Sequence, residues 1–175
     1  MARNLIMKVC LLGDGAVGKT SLIRKFVFDE FDDGYLATIG TKITKKPMTL
    51  VSGEEAFNLT LMISDIVGQV EFERIHKQYY RGSKAGIFVC DLTRTETLRS
   101  VDWWLESFRQ VTGNVPIVLL GNKSDLKERR AVSDSDLAKY ASRFGCSHYI
   151  TSAKTGINVE KAFLEVGRAL CQIKN

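Results

Sequence analysis

Leu11-Leu12-Gly13-Asp14-Gly15-Ala16-Val17-Gly18-Lys19-Thr20-Ser21-Leu22-Ile23 is the stretch on which the reading of this chain turns. Within it, Gly13 to Thr20 follows the spacing G-x-x-x-x-G-K-[ST]. The apolar run Leu5 to Leu12 ahead of it predicts a β-strand, and Leu22, Ile23, Phe26 and Val27 behind it recur at helical spacing. A strand that turns through glycines into a helix presents successive backbone N–H groups at the positive end of the helix dipole, a ready site for an anion. Glycines 13, 15 and 18 let the backbone wrap closely, so the N–H groups from Gly15 to Lys19 are expected to face a phosphate. Lys19 adds positive charge toward the β- and γ-phosphates, and Thr20 offers a hard hydroxyl oxygen to Mg²⁺. A glycine-rich turn with an accidental Lys-Thr would lack the flanking strand and helix. The motif specifies a nucleotide phosphate and leaves the base open.

Working outward, short apolar runs alternate with helix-period segments, the pattern of an α/β domain around a mostly parallel sheet. Asp29 to Gly40 has turn chemistry and little periodicity, and reads as a mobile loop. Ile43 to Val51 and Phe57 to Ser64, joined at Ser52-Gly53-Glu54, predict a hairpin that makes one sheet edge antiparallel. A short helix around Ile75 to Tyr80 and a buried strand Ala85 to Asp91 follow. Thr95 to Val111 predicts a helix with Leu98, Val101, Trp104, Leu105 and Phe108 on one face. The remaining units are a strand Pro116 to Gly121, a helix Ser133 to Phe144, a strand Ser147 to Thr151 and a helix Asn158 to Ile173. Ser133 and Asp136 have the form of a capping box. The expected architecture is a P-loop NTPase fold: a three-layer α/β/α domain with a six-stranded, mostly parallel sheet, one antiparallel edge strand and about five helices, spanning residues 1–175 as one domain.

Composition narrows the setting. With 175 residues, 45% of them apolar, the chain can fill a single core. No apolar run approaches the roughly 20 residues that a bilayer requires, and no leader pattern opens the sequence, so a cytoplasmic protein is expected. Cys10, Cys90, Cys146 and Cys171 read as reduced thiols that pack as small hydrophobes. His76 and His148 do not cluster with cysteines, which excludes a zinc site. The net charge of +5 gathers in Thr41 to Lys46 and Lys123 to Arg130, read as solvated basic faces in preference to a nucleic-acid or lipid surface. Trp103 and Trp104 point in different directions from a helix, which favours core packing over base stacking.

Three further motifs follow strand ends in order. Asp65-Ile-Val-Gly-Gln69 places a carboxylate where phosphate-loop enzymes hold Mg²⁺ through water. Asn122-Lys-Ser-Asp125 ends in a carboxylate that could accept hydrogen bonds from the N1 and N2 donors of guanine, a pair adenine lacks. Ser152-Ala-Lys154 offers a backbone N–H to the base oxygen that adenine also lacks.

The succession GDGAVGKT, Thr38, DIVGQ, NKSD and SAK resembles the Ras-like small GTPases over essentially the whole chain. Tyr79-Tyr-Arg-Gly82 and Tyr35-Leu-Ala-Thr-Ile-Gly40 are similar to the Rab branch. The resemblance implies a Mg²⁺-dependent molecular switch that binds GTP and GDP and hydrolyses GTP. It assigns the phosphates to Asp14, Gly15, Ala16, Val17, Gly18, Lys19, Thr20 and Ser21, and the metal to Thr20, Thr38 and Asp65. Thr38 falls in switch I, and Gly68 in switch II offers its amide to the γ-phosphate. Phe31 packs beside the guanine and Tyr35 covers the phosphates. Asn122 and Lys123 brace the base and the phosphate loop, Asp125 reads the guanine beside Leu126, and Ala153 between Ser152 and Lys154 donates to its oxygen. Gln69 orients the attacking water, with Lys19, Thr38 and Gly68 completing the catalytic set.

The same resemblance implies an exchange factor, a GTPase-activating protein and effectors, all acting through switches I and II on a monomer that binds no nucleic acid. Arg24, Arg74 and Arg81 are not placed to act as a finger in cis, so slow intrinsic turnover is expected. The chain departs from the family at Ala37, where a proline is usual, at Ile66-Val67, usually Thr-Ala, and at Val70-Glu71. After Cys171 there is no C-a-a-X box or terminal double cysteine, so membrane association is not expected from these residues. Two other readings are open: a GTP-binding interaction module with little hydrolysis, and an ATPase or small-molecule kinase, for which no arginine-rich lid is present.

Overall fold

The computed structural model describes residues 2–34, 38, 40–52, 55–69 and 73–172. The first strand, β1 (Arg3–Leu12), lies at the centre of a six-stranded sheet. It pairs in parallel with β3 (Glu55–Asp65) on one side and with β4 (Ser83–Asp91) on the other. Beyond β4 come β5 (Ile117–Asn122) and β6 (Ser147–Ile150), both parallel. The other edge is β2 (Lys42–Ser52), antiparallel to β3 with Lys42 opposite Asp65. The turn residues Gly53 and Glu54 lie outside the described residues.

Residues alternate across a strand, and β1 shows what that does here. Val9 and Leu11 enter the core beneath α1 (Lys19–Phe28) and α6 (Val159–Gln172), while Cys10 and Leu12 enter the opposite core. Phe26 stacks on Phe163 with ring centroids 4.1 Å apart, joining α1 to α6. The second core lies under α4 (Val101–Thr112) and α5 (Asp134–Phe144), with Trp104 and Phe108 fully enclosed. Apolar burial on both faces makes three layers, and the continuous apolar runs of the central strands follow from it.

α2 (Glu73–Tyr80) packs against α4. The helix expected from Thr95 to Val111 is divided into α3 (Thr95–Arg99) and α4 at Ser100. Ser100 keeps helical angles, but its hydroxyl donates back to the Glu96 carbonyl at 3.0 Å. Such back-bonding competes with the backbone ladder and bends helices. The capping box at the start of α5 is formed: Ser133 accepts from the Asp136 N–H, and Asp136 accepts from the Ser133 N–H. All four cysteines are free, Cys10 and Cys90 in the core. Among the described residues no helix is long and apolar enough to cross a membrane.

The parallel strands β1, β4, β5 and β6 all end at the same edge of the sheet. The loops that follow them carry Gly13–Gly18, Asp91–Arg94, Asn122–Asp125 and Thr151–Lys154, so the topology gathers distant motifs into one crevice.

Candidate functional site

The crevice is a cavity of about 430 Å³. Gly15, Ala16, Gly18, Lys19, Thr20 and Ser21 line one end, and Asn122, Lys123, Asp125, Leu126, Ala153 and Lys154 the other. Phe31, Thr38, Val67, Gly68 and Gln69 also line it, together with Arg24, Asp32 and Asp33, which belong to none of the motifs. Tyr35 and Ala37 lie outside the described residues, as do Val70 and Glu71.

The phosphate loop turns into α1 at Gly18, whose φ of 104° lies in the region where glycine is favoured. A Cβ there would sit 2.3 Å from Asn122 Nδ2, so the glycine also makes room for the loop after β5. Ala16, with φ 60°, holds a left-handed conformation that costs a non-glycine residue energy. Lys19 is buried, and its ammonium donates to the carbonyls of Gly13 and Asp14, each at 2.7 Å. Burial lowers its pKa to about 8, partly offset by Asp65 and Asp14. An anion in the loop would restore the charge that burial disfavours.

Thr20, Thr38 and Asp65 converge. The hydroxyls of Thr20 and Thr38 share a hydrogen bond of 2.9 Å, and Thr20 donates to Asp65 Oδ2. Asp65 Oδ1 is buried without a hydrogen-bond partner among the described residues, and burial raises the carboxyl's pKa against the opposing pull of Thr20 and Lys19. Two hydroxyls and one buried carboxylate form a hard-oxygen set of the kind Mg²⁺ completes with phosphate oxygens and water.

At the far end, Asn122 ties three segments together. Its Nδ2 donates to the Val17 carbonyl at 3.0 Å, while its Oδ1 accepts from Ala153 N–H and the Thr151 hydroxyl, each at 3.2 Å. Asp125 is held by the Ser152 hydroxyl at 2.6 Å. Ser152 and Val17 are fully buried and do not line the cavity, so they support it from behind. Lys154 reaches Asp33 at 3.5 Å across the mouth. Phe31 is only partly covered at the rim.

Two further features were not legible from the motifs. Asp14 does not face the cavity with its side chain; it accepts from the indole N–H of Trp104 at 2.8 Å. Trp104 is core, as expected, and is also a tether from α4 to the phosphate loop. The brace expected of Lys123 runs through an intermediary, since its ammonium sits 2.8 Å from buried Asp91. Arg94, 3.2 Å from the same carboxylate, donates 2.8 Å to the Gly15 carbonyl. Burial pushes the Asp91 pKa up, but hydrogen bonds from Lys123 and Thr93 outweigh it and leave the carboxyl below its usual range. A side chain that receives this many donors would be hard to identify from a Cys-Asp-Leu context alone.

A mostly parallel α/β sheet with a phosphate loop after its central strand, and an amide-and-carboxylate pair after β5, defines a guanine-nucleotide-binding P-loop protein. The family model for the Ras family matches residues 8–172. Ras-related protein Rab-22A from Homo sapiens is 37% identical over 165 residues, covering 94% of this chain and 83% of that protein. GTP-binding protein YPTM1 from Zea mays is 37% identical over 172 residues, 98% and 81% of the two chains. Ras-related protein Rab-21 from Bos taurus is 33% identical over 171 residues, 97% and 75%. The chain belongs to the Ras family. It is a Rab-like small GTPase, a GTP-binding molecular switch that hydrolyses GTP.

Proposed function

We propose that the cavity holds GDP or GTP lengthwise, with the phosphates against Gly15 to Lys19 and the base against Asp125, residues 1–175 acting as one G domain. The observation that carries this is the continuity of the space: one cavity joins buried Lys19 to Asp125. Asp125 accepts from guanine N1 and N2. The Ala153 N–H is shared between Asn122 Oδ1 and the base oxygen, since the structure already gives it one acceptor. Phe31 covers the base from the rim, and the phosphate-covering role belongs to Tyr35 by resemblance.

Thr20, Thr38 and Asp65 are the residues that would hold Mg²⁺, and the ion would supply fixed positive charge to the transferring phosphate. Lys19 places a second charge there, and the N–H groups of the loop a third source. Gln69, whose amide both donates and accepts, orients a water in line with the γ-phosphorus. The water oxygen bonds to the γ-phosphorus as the bond between that phosphorus and the β–γ bridging oxygen breaks, and one proton of the water passes to another oxygen of the transferred phosphate, giving GDP and inorganic phosphate. Loss of the γ-phosphate removes what Thr38 and Gly68 bind and releases both switch segments. Intrinsic turnover is slow and a partner accelerates it, because the arginines near the site are occupied: Arg94 on Asp91 and Gly15, Arg24 on Glu30 at 3.1 Å. An exchange factor and effectors engage the same switches on a cytoplasmic monomer.

Chromatography of the nucleotide extracted from purified protein tests the reading. GDP or GTP is the expected find, and labelled GDP should be displaced by GTP and not by ATP. Equal displacement by ATP would refute guanine selectivity. No phosphate release over hours in single turnover would leave the interaction-module alternative standing.

A further inference from the structure

The Arg94 guanidinium reaches the Gly15 carbonyl from outside the cavity, for Arg94 is not among the residues that line it while Ala16 is. In a trans peptide the C=O and the following N–H point in opposite directions. A Gly15 carbonyl held outward therefore turns the Ala16 N–H inward, to where the phosphate lies. The peptide needs such a hold, because Ala16 occupies a left-handed conformation that the chain would leave if unconstrained. The guanidinium is itself fixed: its Nε lies 3.2 Å from the buried Asp91 carboxylate, which Lys123 and Thr93 also grip. A rigid fork that spans carboxylate and carbonyl at once is a geometry lysine does not reproduce.

We infer that Arg94 is a positioning residue for phosphate binding, which holds the Gly15–Ala16 peptide so that the Ala16 N–H faces the nucleotide, and that Asp91 couples this hold to the base side through Lys123. This rests on the reading of the cavity as the nucleotide site. The arginine touches no substrate; it acts through the loop.

The test is the release rate of a fluorescent GDP analogue from the Mg²⁺-loaded full chain, with the ³¹P resonance of the β-phosphate of bound GDP as a second readout. Arg94→Met keeps the apolar stem and removes the donors. It should speed release about tenfold, the order expected for one lost charge-assisted bond, and should move the β-phosphate resonance. Arg94→Lys should fall between. Arg143→Ala, a surface arginine paired with Asp102 and outside the cavity lining, should change neither readout. Ala16→Gly relieves the left-handed strain, and so should slow release more in the Arg94→Met background than in the wild type. Release from Arg94→Met at the wild-type rate, with an unmoved resonance, would overturn the inference while the nucleotide reading stands. An equal effect of Ala16→Gly in both backgrounds would also overturn it. Failure of the wild-type protein to retain GDP would overturn both.

Discussion

The two ends of the cavity are built differently. At the base end, Asn122, Thr151 and Ser152 are buried and cross-bonded, and Asp125 is pinned by the Ser152 hydroxyl. At the terminal-phosphate end, among the described residues the Thr38 hydroxyl shares one hydrogen bond, with Thr20, and Gln69 is exposed. Gly68 lies so close to the phosphate loop that a Cβ on it would sit 2.5 Å from the backbone of Asp14 and Gly15. The first end is preorganised, so it supplies affinity and selectivity without moving. The second has few bonds among the described residues and leaves Gln69 exposed, so what it does depends on whether a γ-phosphate is there to bind. A switch needs this asymmetry: a ligand shifts a conformational equilibrium only by as much as it binds one state better than the other.

The comparison breaks most visibly at Asp125. Asp125→Asn replaces an acceptor pair with a mixed donor and acceptor, and two hydrogen bonds to a charged group are lost at roughly 1.5–3 kcal/mol each. Guanine nucleotide affinity should fall by about a thousandfold, and xanthine nucleotides, which present the complementary pattern, should bind better than guanine ones. Competition titrations read this directly, and an unchanged guanine preference would remove Asp125 from the base site. The other end gives a different signature. Gln69→Leu should slow single-turnover GTP hydrolysis by about a hundredfold, the order that misplacing a reactant costs, and leave GDP affinity within about twofold. A large loss of GDP affinity would show that Gln69 belongs to the binding end and would dissolve the distinction.

What was legible in the sequence divides along similar lines. The stretch from Gly13 to Thr20 could be read because its geometry is local: strand, turn and helix follow one another within a few residues. Asn122 and Asp125 could be placed because their motif is compact and follows a strand end. The tethers behind them could not. Arg94 meets Gly15 across 79 positions and Trp104 meets Asp14 across 90, and no periodicity connects such partners. Trp104 is instructive, since its place on the apolar face of α4 was evident and its indole N–H was not. The break at Ser100 leaves no trace in the periodicity for a related reason: a hydroxyl that bonds back to Glu96 leaves the apolar spacing of the helix intact.

The smallest effect is predicted outside both ends, and it tests whether stability and binding are separable in this fold. Ser133→Ala removes the hydroxyl that caps α5 and that donates to Asp136 at 2.7 Å. Loss of a helix cap should lower the melting temperature by about 2–4 °C in a chain of this size. The release rate of GDP should not change, since α5 contributes no residue to the cavity. The pH dependence has a definite sign. The Asp136 carboxyl is held below its usual range, first by the Ser133 hydroxyl and then by the Ser133 backbone N–H. A depressed carboxyl stabilises the fold above its unfolded pKa of about 3.9 and loses that contribution as pH falls through the lower folded value. The variant has already lost the hydroxyl's share, so the gap between its melting temperature and that of the wild type should narrow as pH is lowered from 7 toward 3. A gap that widened in acid would mean that the cap works by something other than the charge on Asp136. A changed GDP release rate at neutral pH would mean that the base end is less self-contained than its bonds imply.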